Sequence, residues 1–487
     1  MRLSSSLDEL KPEYEAVVVG SGYGAGVAAS RLARIGLKVA VLERGREFEL
    51  GTFPDTMEEA TAELQYTLGD GHIGRRTGLY DLHLGRDMHV LTGCGLGGTS
   101  LINANVSLPP DPRVWEDPCW PASILSEGTL EEGFQRATRM LRPVPYPNTV
   151  RLDKRARLQT AAAALGTEMS TVPINVNFTA GPNAAGVEQP ACTLCGDCCS
   201  GCNVGAKNTV QMTYLPDAVR HGAEIFTEAT VSHVRKEGEG WRVFFMPTRN
   251  RRDRFGQPDR SVYAGIVVLG AGALGSTEIL LRSRQEGLAL SDRLGEGFTG
   301  NGDVLAFAYN GDLPANAVGI GHPPRSGAAP PGPCITGAID LRAARRLEDG
   351  MIIEEGVLPS GLAEILPATF SVASRLFGKD TDTGLIDTVQ EQARRLDSIL
   401  LGAWRGAMHN TETYLVMAHD DGKGRIAMRG DDIQVDWPGV AGQRVFKEIE
   451  ENLIKAAGAN GATYVRNPIQ NTFLGKNLIT VHPLGGC

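Results

Sequence analysis

Two side chains have the types and settings that acid–base chemistry needs. His482 stands in Thr480-Val481-His482-Pro483-Leu484-Gly485-Gly486-Cys487. An imidazole exchanges a proton near neutral pH. Pro483 biases the residue before it to extended backbone at a strand end. Gly485 and Gly486 are expected to leave room for a ring beside the imidazole. Read alone, His482 is equally an ordinary core or surface histidine. Glu354 is the second candidate. It follows the apolar Met351-Ile352-Ile353 and, with Glu355, precedes Pro359-Ser360-Gly361. A carboxyl at the edge of an apolar pocket has a raised pKa and serves as a base. The bland alternative is two solvated acids beside a loop; Glu355 is the reserve candidate. A positioned base takes the proton of an alcohol and contributes about 10²–10⁴-fold. Oxidising that alcohol also needs a hydride acceptor, which a cofactor must supply.

Three glycine-rich turns are the places to hold such an acceptor. Ala16 to Val19 is a continuous apolar run, as in a buried parallel strand. Gly20-Ser21-Gly22-Tyr23-Gly24-Ala25-Gly26 follows, then a helical pattern to Gly36, then a strand from Lys38 to Leu42 that ends in Glu43. This is a βαβ dinucleotide fingerprint. Gly20 makes the tight turn, Gly22 admits a pyrophosphate, and Ala25 keeps helix against strand. The helix N-terminus favours the phosphates, and Glu43 is placed to bond ribose hydroxyls. FAD and NAD are not separated by this unit; its place at the N-terminus fits a flavoprotein. The second turn is Thr92 to Asn105, with Gly93, Gly95, Gly97 and Gly98. Its unshielded backbone suits a flat ring, or a plain turn. The third, Ile266 to Glu278, repeats strand–turn–helix around Gly270, Gly272 and Gly275 and predicts another strand in the same sheet.

Cysteines raise a separate question. Five of the nine lie between Cys192 and Cys202. Cys192, Cys195, Cys198 and Cys202 have bacterial ferredoxin spacing, but Asn203 stands where that motif has proline, and no second run completes a cluster pair. Buried structural thiols are the preferred reading, and no metal is assigned. An iron–sulfur cluster that recruits Cys94, Cys119 or Cys334 is the alternative. Elsewhere, Tyr414–Ala418 and Arg425–Met428 read as a hairpin. Leu362–Phe370 reads as pocket lining or a core helix. The Arg249–Arg254 run reads as a solvated loop. His409 and His419 read as structural.

Size and charge bound the rest. A chain of 487 residues predicts two domains, or one with a large insertion. Net charge of −9 argues against a nucleic-acid partner. Residues 1–11 are polar and no run of 18 apolar residues occurs, so neither a signal peptide nor a transmembrane helix is expected, and a cytoplasmic location is. The crowded, odd-numbered cysteines suit a reducing compartment.

These motifs together resemble the glucose–methanol–choline (GMC) oxidoreductases. The N-terminal fingerprint, the Gly93–Asn103 loop, the Gly270–Glu278 turn, Asn301-Gly302 and His482-Pro-Leu-Gly-Gly-Cys487 occur in the family's order. Within the family, residues 270–284 and 481–487 are similar to cholesterol oxidases. The resemblance implies bound FAD, with Val231 near the adenine and Gly97, Gly98, Asn103 and Asn105 near the flavin. It implies His482 as a site residue, as base or as alcohol-orienting group. It implies Glu354 as the carboxylate that moves a proton between 5-ene-3-one and 4-ene-3-one. The expected substrate is a hydrophobic secondary alcohol, in particular a 3β-hydroxysterol, with O2 as acceptor. Peripheral contact with a lipid surface is compatible with such a substrate. Alternatives are a dehydrogenase of another large alcohol that uses an electron carrier, and a non-catalytic flavin–iron electron-transfer module. The family continues past the histidine motif with an active-site asparagine, so a C-terminally truncated chain is expected.

The expected fold is α/β: a discontinuous Rossmann-like FAD domain (12–48, 88–108, 205–303 and 478–487) plus an α+β substrate domain with an antiparallel sheet (49–87, 109–204 and 304–477).

Overall fold

A computed structural model describes residues 2–68, 71–125, 128–248, 258–381, 385–467 and 478–487. Its first layer is a seven-stranded sheet. The strands run Ser4–Ser5, Glu224–Phe226, Val39–Leu42, Glu13–Val19, Arg260–Leu269, Gly240–Pro247 and Ala229–Glu237. The first five are parallel, and the last two pair antiparallel. Parallel strands need crossover helices and so bury both faces. Ala16, Val18, Val39 and Val41 pack under helices Tyr23–Arg34 and Tyr214–Arg220. Val17, Val19, Ala40 and Leu42 face the other way, toward Ile279 of helix Gly272–Gln285. The predicted βαβ unit is present, and the third glycine turn does add a strand beside the first one.

The second layer is a six-stranded antiparallel sheet in the order Thr463–Arg466, Val304–Tyr309, Glu412–Ala418, Met351–Gly356, Gly337–Asp340 and Met169–Thr171. Its side chains alternate with period two. Met351, Ile353, Tyr414 and Val416 enter the main core under helices Asp153–Ala164 and Arg444–Gly458. Ile352, Ala338, Leu415 and Met417 belong to another apolar cluster, with Ala104 and Val106.

A third sheet was not anticipated. It joins Leu478–Thr480, Met88–Gly93, Tyr80–His83, Leu64–Leu68 and Gly71–Ile73. The Leu478–Thr480 strand lies parallel to Met88–Val90, which brings the histidine motif to the glycine loop that follows Met88–Gly93.

One reading needs correction, and one open choice is resolved. Glu412–Ala418 is no hairpin partner of Arg425–Arg429. It is a central strand between Val304–Tyr309 and Met351–Gly356, while Arg425–Arg429 pairs with Asp432–Asp436. The nearer turn, at Gly430, joins those two instead, and its φ of +61° suits glycine. Helix Leu366–Phe377 buries Phe370 against Phe307 and Tyr309, so it is a core helix. The Arg249–Arg254 run lies outside the described residues.

Candidate active site

His482 is held by an acid that sequence reading missed. The Leu478–Thr480 strand stops two residues before it. Asp303, at the entry to strand Val304–Tyr309, lies beneath that strand end. Its carboxylate accepts from the Val481 N–H at 2.9 Å and bonds Thr480 Oγ1 at 2.8 Å. His482 Nδ1 lies 2.8 Å from Asp303 Oδ1. Asp303 is buried, while the imidazole is 39% exposed. A ring nitrogen bound to carboxylate fixes the tautomer, so Nδ1 carries the proton and Nε2 is left to act outward. Burial pushes the imidazole down. Asp303 acts the other way by charge and hydrogen bond and outweighs it, so the net shift is up. An acid following Asn301-Gly302 in the family motif was the available signal.

Glu354 and Glu355 are sorted by the pleat. Glu354 shares its face with Ile352, opposite Leu415 and Ala338 on the flanking strands. It is 2% exposed, and its Oε1 has no hydrogen-bond partner. Burial pushes its pKa up to about 8, although the His482 charge pulls the other way. A carboxyl held mostly protonated at neutral pH, in an apolar setting and within electrostatic reach of an imidazole, has the chemistry to exchange a proton. Glu355 points to the opposite face. It accepts from Thr336 N–H and Thr336 Oγ1 and pairs with Lys154 Nζ at 2.6 Å, both side chains fully buried. The reserve candidate is therefore structural.

The nucleotide end is built from the three glycine turns pressed together. A Cβ on Gly20 would lie 2.6 Å from Gly270 O, and one on Gly98 would lie 2.9 Å from Gly22 Cα. The Ala25 methyl sits where a Cβ on Gly270 would come within 2.6 Å, which explains a small third residue in the fingerprint. A Cβ on Gly93 would likewise lie 2.8 Å from Thr99 Cα. Space beside Gly22, Gly24 and Gly272 is open. Ser21 Oγ connects two of the turns: it accepts from Gly97 N–H and contacts Glu43 Oε2 at 2.6 Å. Glu43 is buried, and burial raises its pKa. Its other oxygen accepts from Gly45 N–H. Each oxygen keeps a second lone pair for a hydroxyl donor.

Asn103 donates from Nδ2 to Tyr23 Oη at 2.9 Å. Its Oδ1 is buried without a protein partner, as is Asn105 Nδ2. An orphaned acceptor and donor in one loop fit a ring whose edge carries both kinds of group. Lys207 holds this loop, donating to Leu101 O at 3.0 Å and Asn103 O at 2.6 Å. Val231 lies at a β-bulge in strand Ala229–Glu237. A cavity opens at Thr230 and Arg44, the chain neighbours of Val231 and Glu43, and is lined also by Asp81, His83, Thr248 and Glu278. Its charged lining was not legible in the sequence. These residues fit FAD: open backbone at the helix N-terminus, a carboxylate at the next strand end and orphaned amides further along.

Two further outcomes concern the glycines and the thiols. Gly485 and Gly486 do not make room for a ring. A Cβ on Gly485 would lie 2.0 Å from Gly297 O, and one on Gly486 would lie 2.5 Å from Thr277 Oγ1. They let the segment after His482 pair with residues 295–299. Among the described residues, no three His, Cys, Asp or Glu side chains group as they would around a metal ion.

A sequence profile of the GMC oxidoreductases matches residues 67–298. Residues 67–298 are thus similar to GMC oxidoreductases, and the site residues fit FAD. The chain is similar to the cholesterol oxidase of Mycobacterium tuberculosis, 33% identical over 307 residues, which covers 59% of this chain and 51% of that protein. It is similar to the cholesterol oxidase of Acinetobacter baumannii, 26% identical over 312 residues, covering 60% and 55% respectively. The chain thus spans about half the length of the curated relatives it matches. Pyridoxine 4-oxidase of "Mesorbium loti" shares the fold, with a TM-score of 0.53 and 15% identity over 97% of this chain and 88% of that one. Among the described residues, no helix is long and apolar enough to cross a membrane.

Proposed function

We propose that this GMC oxidoreductase oxidises a hydrophobic secondary alcohol, a 3β-hydroxysterol in particular, with FAD as hydride acceptor and O2 as terminal oxidant. The observation that carries the reading is the convergence of His482, oriented by Asp303, and a protonated Glu354 on an apolar face near the Gly97–Asn105 loop. The likeness to two cholesterol oxidases supports a sterol.

FAD, when bound, supplies the two-electron acceptor for the carbinol hydride. Gly20, Gly22 and Ala25 shape the helix N-terminus that would hold its pyrophosphate, and Gly272 opens the facing turn. Glu43 would hold a ribose hydroxyl, and the backbone at Val231 would meet the adenine. Gly93, Gly97, Gly98 and Asn103 would form the backbone against the ring. His482 Nε2 faces the substrate hydroxyl and takes its proton, while Asp303 keeps the opposite nitrogen protonated. Ile352, Leu415, Met417 and Val106 present an apolar surface that a sterol skeleton covers and water does not. Glu354, in its ionised form, takes a proton from the carbon between the ketone and the alkene and returns it to the far alkene carbon. That step converts a 5-ene-3-one into a 4-ene-3-one.

An aerobic assay with FAD-loaded protein and cholesterol tests the reading. Ketone and peroxide are expected in equal amounts, and His482→Ala should lower kcat/KM by about 10²–10⁴-fold. Ketone without peroxide, in the presence of an added electron carrier, would instead indicate a dehydrogenase. Unchanged turnover in the alanine variant would remove His482 from the chemistry.

A further inference from the structure

The cysteine segment contains a feature that the alcohol chemistry does not use. Cys199 lies in the short helix Asp197–Ser200, and Cys334 lies 135 residues later, in the loop before strand Gly337–Asp340. Their sulfurs are 3.4 Å apart. No disulfide is formed, and all nine cysteines are free. We propose that Cys199 and Cys334 are a redox couple that closes to a disulfide when a peroxide reaches Cys199.

Three observations support the couple. The sulfurs are already in contact, and a bond length of about 2.05 Å needs an approach of only about 1.4 Å. Access is unequal: Cys199 is partly exposed, while Cys334 is buried. The pair is also flanked by two buried ammonium groups. Lys154 Nζ donates to Pro333 O at 2.6 Å and Cys334 O at 2.8 Å. Lys207 Nζ donates to Cys198 O at 3.0 Å. The contact with Cys334 pulls the Cys199 thiol below its ordinary range, and the Lys207 charge adds to this. A thiolate is the form that attacks peroxide.

The step balances. Cys199 thiolate attacks one peroxide oxygen, the O–O bond breaks, and hydroxide leaves with the electron pair, giving a sulfenic acid. The Cys334 thiol, whose pKa the Cys199 contact and burial raise, then attacks the Cys199 sulfur as its proton passes to the departing hydroxyl, so that water leaves. With two thiol protons, two water molecules result; the thiols are oxidised by two electrons and the peroxide is reduced by two. Cys198 is an alternative partner by sequence, but its sulfur accepts from Cys334 N–H at 3.4 Å. The couple lies in the apolar cluster that includes Ile352, Leu415 and Val106.

The test uses the whole protein and added hydrogen peroxide, so it stands apart from the reading of the active site. After peroxide, free thiols are alkylated and peptides are mapped without reduction. A Cys199–Cys334 linked peptide is expected, two fewer alkylated cysteines per chain, and return of both with dithiothreitol. In Cys334→Ser, the Cys199 sulfenic acid should persist and be trapped by dimedone, which the native protein should resist. Both thiols remaining alkylatable would overturn the proposal. So would a link from Cys199 to any other cysteine, or equal dimedone labelling of native and variant protein. If the variant is insoluble, the map of the native protein decides alone.

Discussion

At the residue scale, the Asp303–His482 pair would set the working pH of the proposed reaction. Acting as base, His482 must be neutral, so kcat/KM should rise with pH through an imidazole pKa above the ordinary value. Asp303 is the cause of the upward shift. Asp303→Asn should therefore move that rising limb to lower pH, and a limb that does not move would disconnect the pair from catalysis. Glu354 predicts a stability effect with the opposite sign to a surface carboxylate. Its folded pKa of about 8 lies above the ordinary glutamate value of 4.5. The folded state therefore binds the proton more tightly, and stability falls as pH rises between those two values. Glu354→Gln should lose little over that window, so thermal melts of variant and native protein should diverge as pH rises; parallel curves would contradict the buried acid. The sequence singled out the histidine and the acid pair because motif and apolar run mark them. Asp303 was not, because only long-range contacts, its bonds to Thr480 and Val481 and the Thr299–Leu484 pairing, bring it under His482. The choice of Glu354 over Glu355 needed the face of the sheet, since adjacent strand residues point oppositely.

At the element scale, the Met351–Gly356 strand has a catalytic face and a structural one. Lys154, from helix Asp153–Ala164, pairs with Glu355 and bonds the Pro333 and Cys334 carbonyls, so it pins helix, strand and loop. Removing one partner of a buried pair leaves an uncompensated charge. Lys154→Met should cost about 3–5 kcal/mol in denaturant unfolding, and adding Glu355→Leu should recover much of it. Independent losses that simply add would contradict the pairing. The parallel βαβ units were readable because each is local and announced by glycines. The third sheet was not, since its short strands pair Leu478–Thr480 with Met88–Val90 across most of the chain. Local pattern carries no record of such pairing. The misassigned hairpin failed for the same reason: turn residues signalled a reversal without naming its strands.

At the scale of the whole molecule, a parallel sheet holds the dinucleotide end and an antiparallel sheet holds the acid–base end. The glycine loop after strand Met88–Gly93 lies between them. In the proposed reaction, hydride acceptance and proton transfer would meet at the apolar face that carries Ile352, Leu415 and Val106. The central claim is that a hydrophobic alcohol reduces flavin there. Anaerobic titration of the FAD-loaded protein with cholesterol, other sterols and long-chain alcohols, following the visible flavin band, tests this most directly. The account predicts stoichiometric bleaching by 3β-hydroxysterols that is slowed in His482→Ala. Protein that binds FAD yet keeps its full colour with every alcohol would contradict it.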